Sequence, residues 1–318
     1  MMQRPDDVVR TAYNLLLSRE PEPAGLRHWS SELERGMSRS EFIRAVLASA
    51  EFKQSMSAVD ELTRYDDIDL VIPIRGHQFR VPASDRSLVP YLLKHRCWEP
   101  HVMAHLARTL QPSSVFMDVG ANLGYFTVLC APLVSRVIAF EPVATTAHYC
   151  EVNIALNDIT NVDFRRCGLW HEDATLSFNA DTSSVMSASV VQSNGSASND
   201  TIQAVSLDHL CASGDLELER LDVIKMDIEG AELSALIGMR ATLERLRPQI
   251  VMEINRPMLA SMGASVEQVW DFLRSLSYDV QVFEPWVERP PLPVHGLDAL
   301  TALCPEDGLV DIVAVRRG

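Results

Sequence analysis

An α/β fold built on an open, mainly parallel sheet and preceded by a small all-α domain is what this 318-residue sequence predicts. Three observations carry the prediction. Residues 1–56 read as short helices, with no alternating segment that would make a strand. From Asp66 onward, short apolar runs alternate with helical stretches, the pattern of a sheet wound with helices. The composition, 47% hydrophobic and 22% charged, is that of a chain that buries a core. The expected division is a helical module at 1–56, a linker at 57–65 and the α/β domain at 66–318.

In the first helix, Val8, Val9, Ala12, Tyr13, Leu16 and Leu17 fall on one stripe. The stripe stops at Arg19-Glu20-Pro21-Glu22-Pro23, where the prolines forbid continuation. A second helix carries Leu26, Trp29 and Leu33 and ends at Gly36, a left-handed cap. Ser38-Arg39-Ser40-Glu41 makes a capping box for a third helix with Phe42, Ile43, Val46 and Leu47. The stretch Leu15 to Trp29, with Ala48-Ser49-Ala50-Glu51-Phe52 after it, resembles a small bacterial helical domain of unknown function. That resemblance associates the module with enzymes of surface glycans; read from its helices alone, it is a cap that packs, dimerises or contacts another protein.

The α/β part opens with alternation in Leu70-Val71-Ile72-Pro73-Ile74 and His77-Gln78-Phe79-Arg80-Val81, a β-hairpin ahead of the sheet. Seven sheet strands follow at Val115–Val119, Val137–Phe140, Val162–Arg165, Val223–Asp227, Ile250–Ile254, Asp279–Phe283 and Val310–Val315. Ser265 and Gln268 cap a helix whose buried stripe is Val266, Val269, Trp270, Leu273 and Leu276. Asp181 to Asp200, rich in Ser, Asn and Ala, reads as a loop or loosely paired hairpin. With the early hairpin, it is placed to roof an acceptor site.

Chemistry concentrates at strand ends. Phe116-Met117-Asp118-Val119-Gly120-Ala121-Asn122-Leu123-Gly124 ends a strand on an acid and turns through two glycines, which let backbone approach a ligand without Cβ obstruction. Ligands of open α/β sheets bind in the crevice beyond those ends. Glu141, closing the second strand, stands where an acid accepts hydrogen bonds from both ribose hydroxyls of a nucleoside. A dinucleotide turn carries a third glycine for the pyrophosphate, which is missing here. The set Asp118, Gly120, Asn122, Gly124 and Glu141 therefore suits S-adenosylmethionine (AdoMet), with Asp118 facing its positive groups. Asp227 and Glu253 end the fourth and fifth strands, and Glu229 and Glu232 open the next helix.

The net charge of −15 and pI near 5.0 argue against a nucleic-acid partner and disfavour an anionic membrane surface. No apolar run reaches the length of a membrane span. The start, MMQRPDDVVR, has no signal-peptide layout, so cytoplasmic residence is expected. The six cysteines form no C-x-x-C pair, which argues against a disulfide framework or structural zinc and for small buried thiols.

Phe116 to Phe126, Ala139-Phe140-Glu141-Pro142, Asn153, Asn157 and Lys225 to Glu232 together resemble the FkbM family of AdoMet-dependent methyltransferases. Trp98-Glu99-Pro100 and Ser206-Leu207-Asp208 are similar to further segments of that family, and the resemblance covers about Asp66 to Val315. It implies a Rossmann-like seven-stranded methyltransferase sheet and O-methylation of a hydroxyl on a sugar, polysaccharide or polyketide-like acceptor.

Transfer from a sulfonium needs oxygen, methyl and sulfur held in line. A carboxylate that takes the hydroxyl proton adds a factor on the order of 10² or more. Asp227 is the first candidate for that base, then Glu229 and Glu253. The same acids could instead hold a magnesium or calcium ion that orients the acceptor, and the sequence leaves both readings open. His148 and His171 read as surface or structural residues, and Tyr125 and Phe126 as packing or cofactor-wall residues. Two other classes stay in view: a nicotinamide-dependent oxidoreductase, opposed by the missing glycine, and a non-catalytic assembly protein keeping the fold.

Overall fold

The computed structural model describes residues 4–13, 17, 19–37, 41, 42, 45, 46, 49–51, 69–85, 88–179, 189, 190 and 201–316. The capping residues Ser38, Arg39 and Ser40, the side chains of Leu16, Ile43 and Leu47, the linker 57–65 and most of Asp181 to Asp200 lie outside the described residues.

The strands are β1 (Asp69–Ile74), β2 (His77–Pro82), β3 (Val115–Val119), β4 (Arg136–Phe140), β5 (Val162–Arg165), β6 (Gly168–Leu169) and β7 (Ala174–Asn179). The later ones are β8 (Ser189–Val190), β9 (Thr201–Val205), β10 (Val223–Met226), β11 (Gln249–Asn255), β12 (Tyr278–Val282), β13 (Leu292–Pro293) and β14 (Leu309–Arg316). The main sheet has the order β13-β12-β14-β11-β10-β3-β4-β5. All seven expected strands are in it, with the two-residue β13 as an added edge. Chain order reverses between β3 and β10, and this switch point opens a crevice at the strands' carboxyl ends.

The sheet is not wholly parallel: β14 runs antiparallel between β11 and β12. Its central residues, Val310 to Ala314, are buried on both faces, so the run carries no alternation from which direction could be read.

Strand alternation sorts side chains onto two faces. Met117, Val119, Ile138, Phe140, Ile224, Met226, Met252 and Ile254 fill one core cluster. Phe116, Val137, Ala139, Val223, Val251 and Val313 fill the other, beneath the β1–β2 hairpin and the helices Pro100–Thr109 and Tyr125–Cys130. The same parity sends Asp118, Lys225, Glu253 and Asp311 to the second face.

The hairpin is held by two asparagines of the helix Ala144–Leu156 and its cap. Asn153 Oδ1 accepts from Arg80 N (2.6 Å), and its amide donates to Arg80 O (3.0 Å) and Leu123 O (2.8 Å). Asn157 repeats the pattern on Gln78, accepting at 2.8 Å and donating at 2.7 Å. These clamps seat the hairpin over that helix, and it does not line the cleft described below.

A second sheet, β6-β9-β7-β8, stands beside the crevice. Its β7–β8 pairing places Ser189 and Val190 against Asn179 and Phe178, so part of the Ser-rich stretch is paired as a hairpin. Helices Pro5–Ala12 and Pro23–Glu34 pack Val8, Val9, Ala12 and Tyr13 with Leu26 and Trp29, and Tyr91 and Trp286 from the later chain join that cluster. Ser265 caps the helix Val266–Ser275 by accepting from Gln268 N at 3.3 Å, as the capping box requires. Of the cysteines, Cys130, Cys150 and Cys304 are buried, the other three are half-buried, and none of the six forms a disulfide.

Candidate active site

The cleft opens at the carboxyl ends of β3, β4 and β10. Its floor is the turn after β3, where Gly120, Asn122 and Gly124 all take positive φ, at 81°, 51° and 84°. The N–H groups of Gly120 and Ala121 both donate to Phe140 O at 3.0 Å, which ties the turn to the end of β4. A Cβ on Gly120 would lie 2.0 Å from the carbonyl oxygen of Asp227, so only glycine lets β3 and β10 close together here. A Cβ on Gly124 would meet Cys150 Sγ at 2.9 Å. Gly124 therefore serves helix packing and, unlike Gly120, does not line the cleft.

Glu141 is buried at the cleft edge. Its Oε2 accepts from Asn122 N (2.9 Å), and its Oε1 accepts from Val143 N (2.9 Å) and Thr146 Oγ1 (2.8 Å). Burial pushes this carboxyl above its ordinary range, against those hydrogen bonds. Oε2 keeps one lone pair for a ligand. Asn122 Oδ1 is buried without a partner among the described residues, and Asn122 lines the cleft. A buried acceptor in that state calls for a donor from a ligand or water. Leu169, Trp170, Leu176, Ile202, Ala204, Phe140 and Ile228 make the walls apolar, a surface suited to a flat base. Trp170 and the small-sheet residues are site members the sequence reading missed.

Two expected ligand-facing acids sit elsewhere. Asp118 is fully buried beneath the turn, with Oδ2 accepting from Thr127 Oγ1 at 2.6 Å, and does not line the cleft. Glu253 belongs to a second cluster behind it. There Glu99, Glu253 and Asp311 bring carboxylate oxygens within 4.8 Å of one another. The reason in both cases is strand parity, which turns these side chains toward the helix-covered face.

Lys225 supplies countercharge to that cluster, with Nζ 3.1 Å from Asp227 Oδ2 and 4.8 Å from the Phe126 ring centre. Burial opposes its charge, but Asp227, Glu99 and Asp118 outweigh it and hold the ammonium protonated. Burial, then Asp311, pushes Glu99 well above the carboxylate range; burial, then Asp227, does the same to Glu253. His101 accepts from Trp286 N on Nδ1 (3.1 Å) and meets Asp311 with Nε2 (2.9 Å).

Asp227 and Glu229 do line the cleft. Burial, Asp227 and Glu232 push Glu229 up to about 8, and burial brings Glu232 to about 7. Both lie above an ordinary carboxyl, so the stability they contribute is complete below about pH 4.5 and is lost as pH rises through 7 to 8. The melting temperature of the ligand-free chain should fall from about pH 6 to about pH 8.5, and less steeply in Glu229→Gln. Equal slopes in the two chains would refute the assignment. His148 and His171 are exposed, while Tyr125 and Phe126 are buried packing residues, Tyr125 accepting from Trp98 N at 3.0 Å.

The family profile described as the methyltransferase FkbM domain matches residues 118–280, just over half of the chain. The chain belongs to the FkbM methyltransferase family. Residues 5–56 of this FkbM-family chain match a domain of unknown function, DUF4214. Among characterised relatives, the hexuronic acid methyltransferase AglP of Haloferax volcanii is 31% identical over 153 residues, covering 48% of this chain and 61% of that protein. The AMB antimetabolite synthetase AmbE of Pseudomonas aeruginosa is 25% identical over 244 residues, 65% of this chain and 11% of that one. Methyltransferase 1 of Beauveria bassiana is 28% identical over 205 residues, 58% of this chain and 80% of that one. The FkbM-family chain thus spans about a tenth of AmbE and three fifths of AglP. A solved FkbM methyltransferase from Methylobacillus flagellatus superposes with a TM-score of 0.41 at 16% identity, covering 83% of this chain and 60% of that one.

Proposed function

We propose that the protein transfers the methyl group of AdoMet to a hydroxyl of a sugar or related polyhydroxylated acceptor, with Asp227 taking the proton. The observation that carries this reading is the single cleft in which Gly120, Asn122 and Glu141 meet Asp227 and Glu229. A nucleoside fits what is there: Glu141 has a free lone pair for a ribose hydroxyl, Asn122 Oδ1 seeks a donor, and the Trp170 wall is apolar.

AdoMet supplies an electrophilic methyl on a sulfonium. As the acceptor's O–CH3 bond forms, the S–CH3 bond breaks with its electron pair left on sulfur, and the hydroxyl proton passes to Asp227. Asp227 holds Oδ2 toward Lys225, and its Oδ1 has no hydrogen bond among the described residues. Asp118 and Gly124 act indirectly, anchoring the helix Tyr125–Cys130 and packing the turn. Within the cleft Glu229 neighbours Asp227, where it would orient the acceptor. AglP acts on a hexuronic acid, and the net charge of −15 leaves a uronate to be recognised by hydrogen bonds more than by bulk charge.

Calorimetric titration with AdoMet, S-adenosylhomocysteine (AdoHcy) and NAD tests the donor. Micromolar binding of the two sulfur nucleosides but not NAD is expected, weakened at least about 30-fold in Glu141→Gln with its melting temperature kept as a folding control. Unweakened AdoHcy binding by that variant would contradict the role of Glu141.

A further inference from the structure

The cluster behind the cleft is tightly packed. Between Glu99, Lys225, Asp227, Glu253 and Asp311 there is no room for a water molecule. A polar group that no ligand enters can influence the reaction only through a member that reaches one. Asp227 is that member: it lines both the cleft and the cluster.

We propose that Lys225 is the positioning residue for Asp227, fixing the carboxylate through Oδ2 so that Oδ1 is presented to the acceptor hydroxyl. This rests on reading Asp227 as the proton acceptor. The backbone of Asp227 is already pinned, its N–H donating to Val119 O at 3.0 Å and its carbonyl pressed against Gly120. Lys225, two residues earlier in β10, adds the side-chain constraint, donating from Nζ to Oδ2 at 3.1 Å.

Lys225 is itself immobilised. It is 5% exposed, rests over Phe126, and is opposite Asp118 in the β3–β10 ladder. Glu99 completes its surroundings from an unusual backbone position, the left-handed first cap of the helix Pro100–Thr109 at φ 39°. The arrangement places one cation among several carboxyls, so Asp227 must share it with Glu99 and Asp118. Its orientation then depends on the geometry of the whole set.

A double-mutant cycle tests this with methyl α-D-glucuronoside and methyl α-D-glucoside as acceptors. Lys225→Met should lower kcat about 50-fold or more, with acceptor KM and AdoHcy affinity within about threefold of the unsubstituted chain. In an Asp227→Asn background, the same change should lower kcat less than about threefold, because the group it positions is gone. Lys225→Arg, which keeps the charge but changes the geometry of the donor, should give an intermediate loss, with its melting temperature measured as a folding control.

Losses that multiply in the cycle, or full kcat in a folded Lys225→Arg chain, would overturn the proposal. Full kcat in Asp227→Asn alone would instead overturn the underlying reading of the base. If neither glycoside is methylated, the crystal structure of Lys225→Arg decides: a displaced Asp227 carboxylate supports positioning, and an unmoved one refutes it.

Discussion

Gly120→Ala should abolish donor binding while leaving a weakened fold. Position 120 has φ 81°, where a non-glycine residue is strained by about 1 kcal/mol or more. The added methyl would also sit 2.0 Å from the Asp227 carbonyl oxygen, and backbone offers no rotamer by which to escape. The turn must therefore lift from β10, which separates Asn122 and Glu141 from Asp227 across the cleft. A loss on the order of 3 kcal/mol in stability is expected, with AdoHcy affinity reduced at least about 100-fold. Thermal unfolding and calorimetry measure the two effects. Ordinary AdoHcy affinity in this variant would mean that the donor does not sit on the turn.

Asp227→Asn is expected to lose chemistry and keep binding. The amide has nearly the same shape, and its oxygen can still accept from Lys225, so the cleft walls keep their positions. What disappears is the ability to take the acceptor's proton, a contribution of 10² to 10⁴ in rate for a well-placed general base, as an order of magnitude. Single-turnover methyl transfer should slow by that range, while AdoHcy affinity stays within about threefold. A fall in affinity matching the fall in rate would assign Asp227 to donor binding instead.

Much of this site could be read from residue order, and the failures have a common cause. Strands β3 and β4 end at Val119 and Phe140 as expected, β10 stops at Met226, one residue before the expected Asp227, and Glu141 reached the cleft as expected. The rule that an acid near a strand's carboxyl end faces the crevice failed for Asp118 and Glu253. Both are still inside their strands, where period-two alternation decides the face. Counting from Phe116 or Val251, whose side chains join the core under the helices, sends them to the same side.

Glu99 stood in the quoted Trp98-Glu99-Pro100 without an assigned role. Its partners Glu253 and Asp311 are remote in sequence, and only tertiary packing brings them together. The apolar wall was hidden for a different reason. Leu176, Ile202 and Ala204 belong to β7 and β9, whose alternation is legible in Ala174–Asn179 and Thr201–Val205, but nothing local shows that these strands fold back against the cleft. The glycines were recognised for a ligand alone, but each also answers to a protein neighbour: Gly120 lines the cleft while packing on the Asp227 carbonyl, and Gly124 packs on Cys150.

The most direct measurement incubates the chain with AdoMet labelled in its methyl group and methyl α-D-glucuronoside, followed by mass spectrometry of both products. Labelled methyl ether on a ring hydroxyl is expected with an equal amount of AdoHcy, and neither product from Asp227→Asn on the same time scale. Labelled product that forms as quickly with Asp227→Asn, or label found as a carboxyl ester in place of an ether, would contradict it.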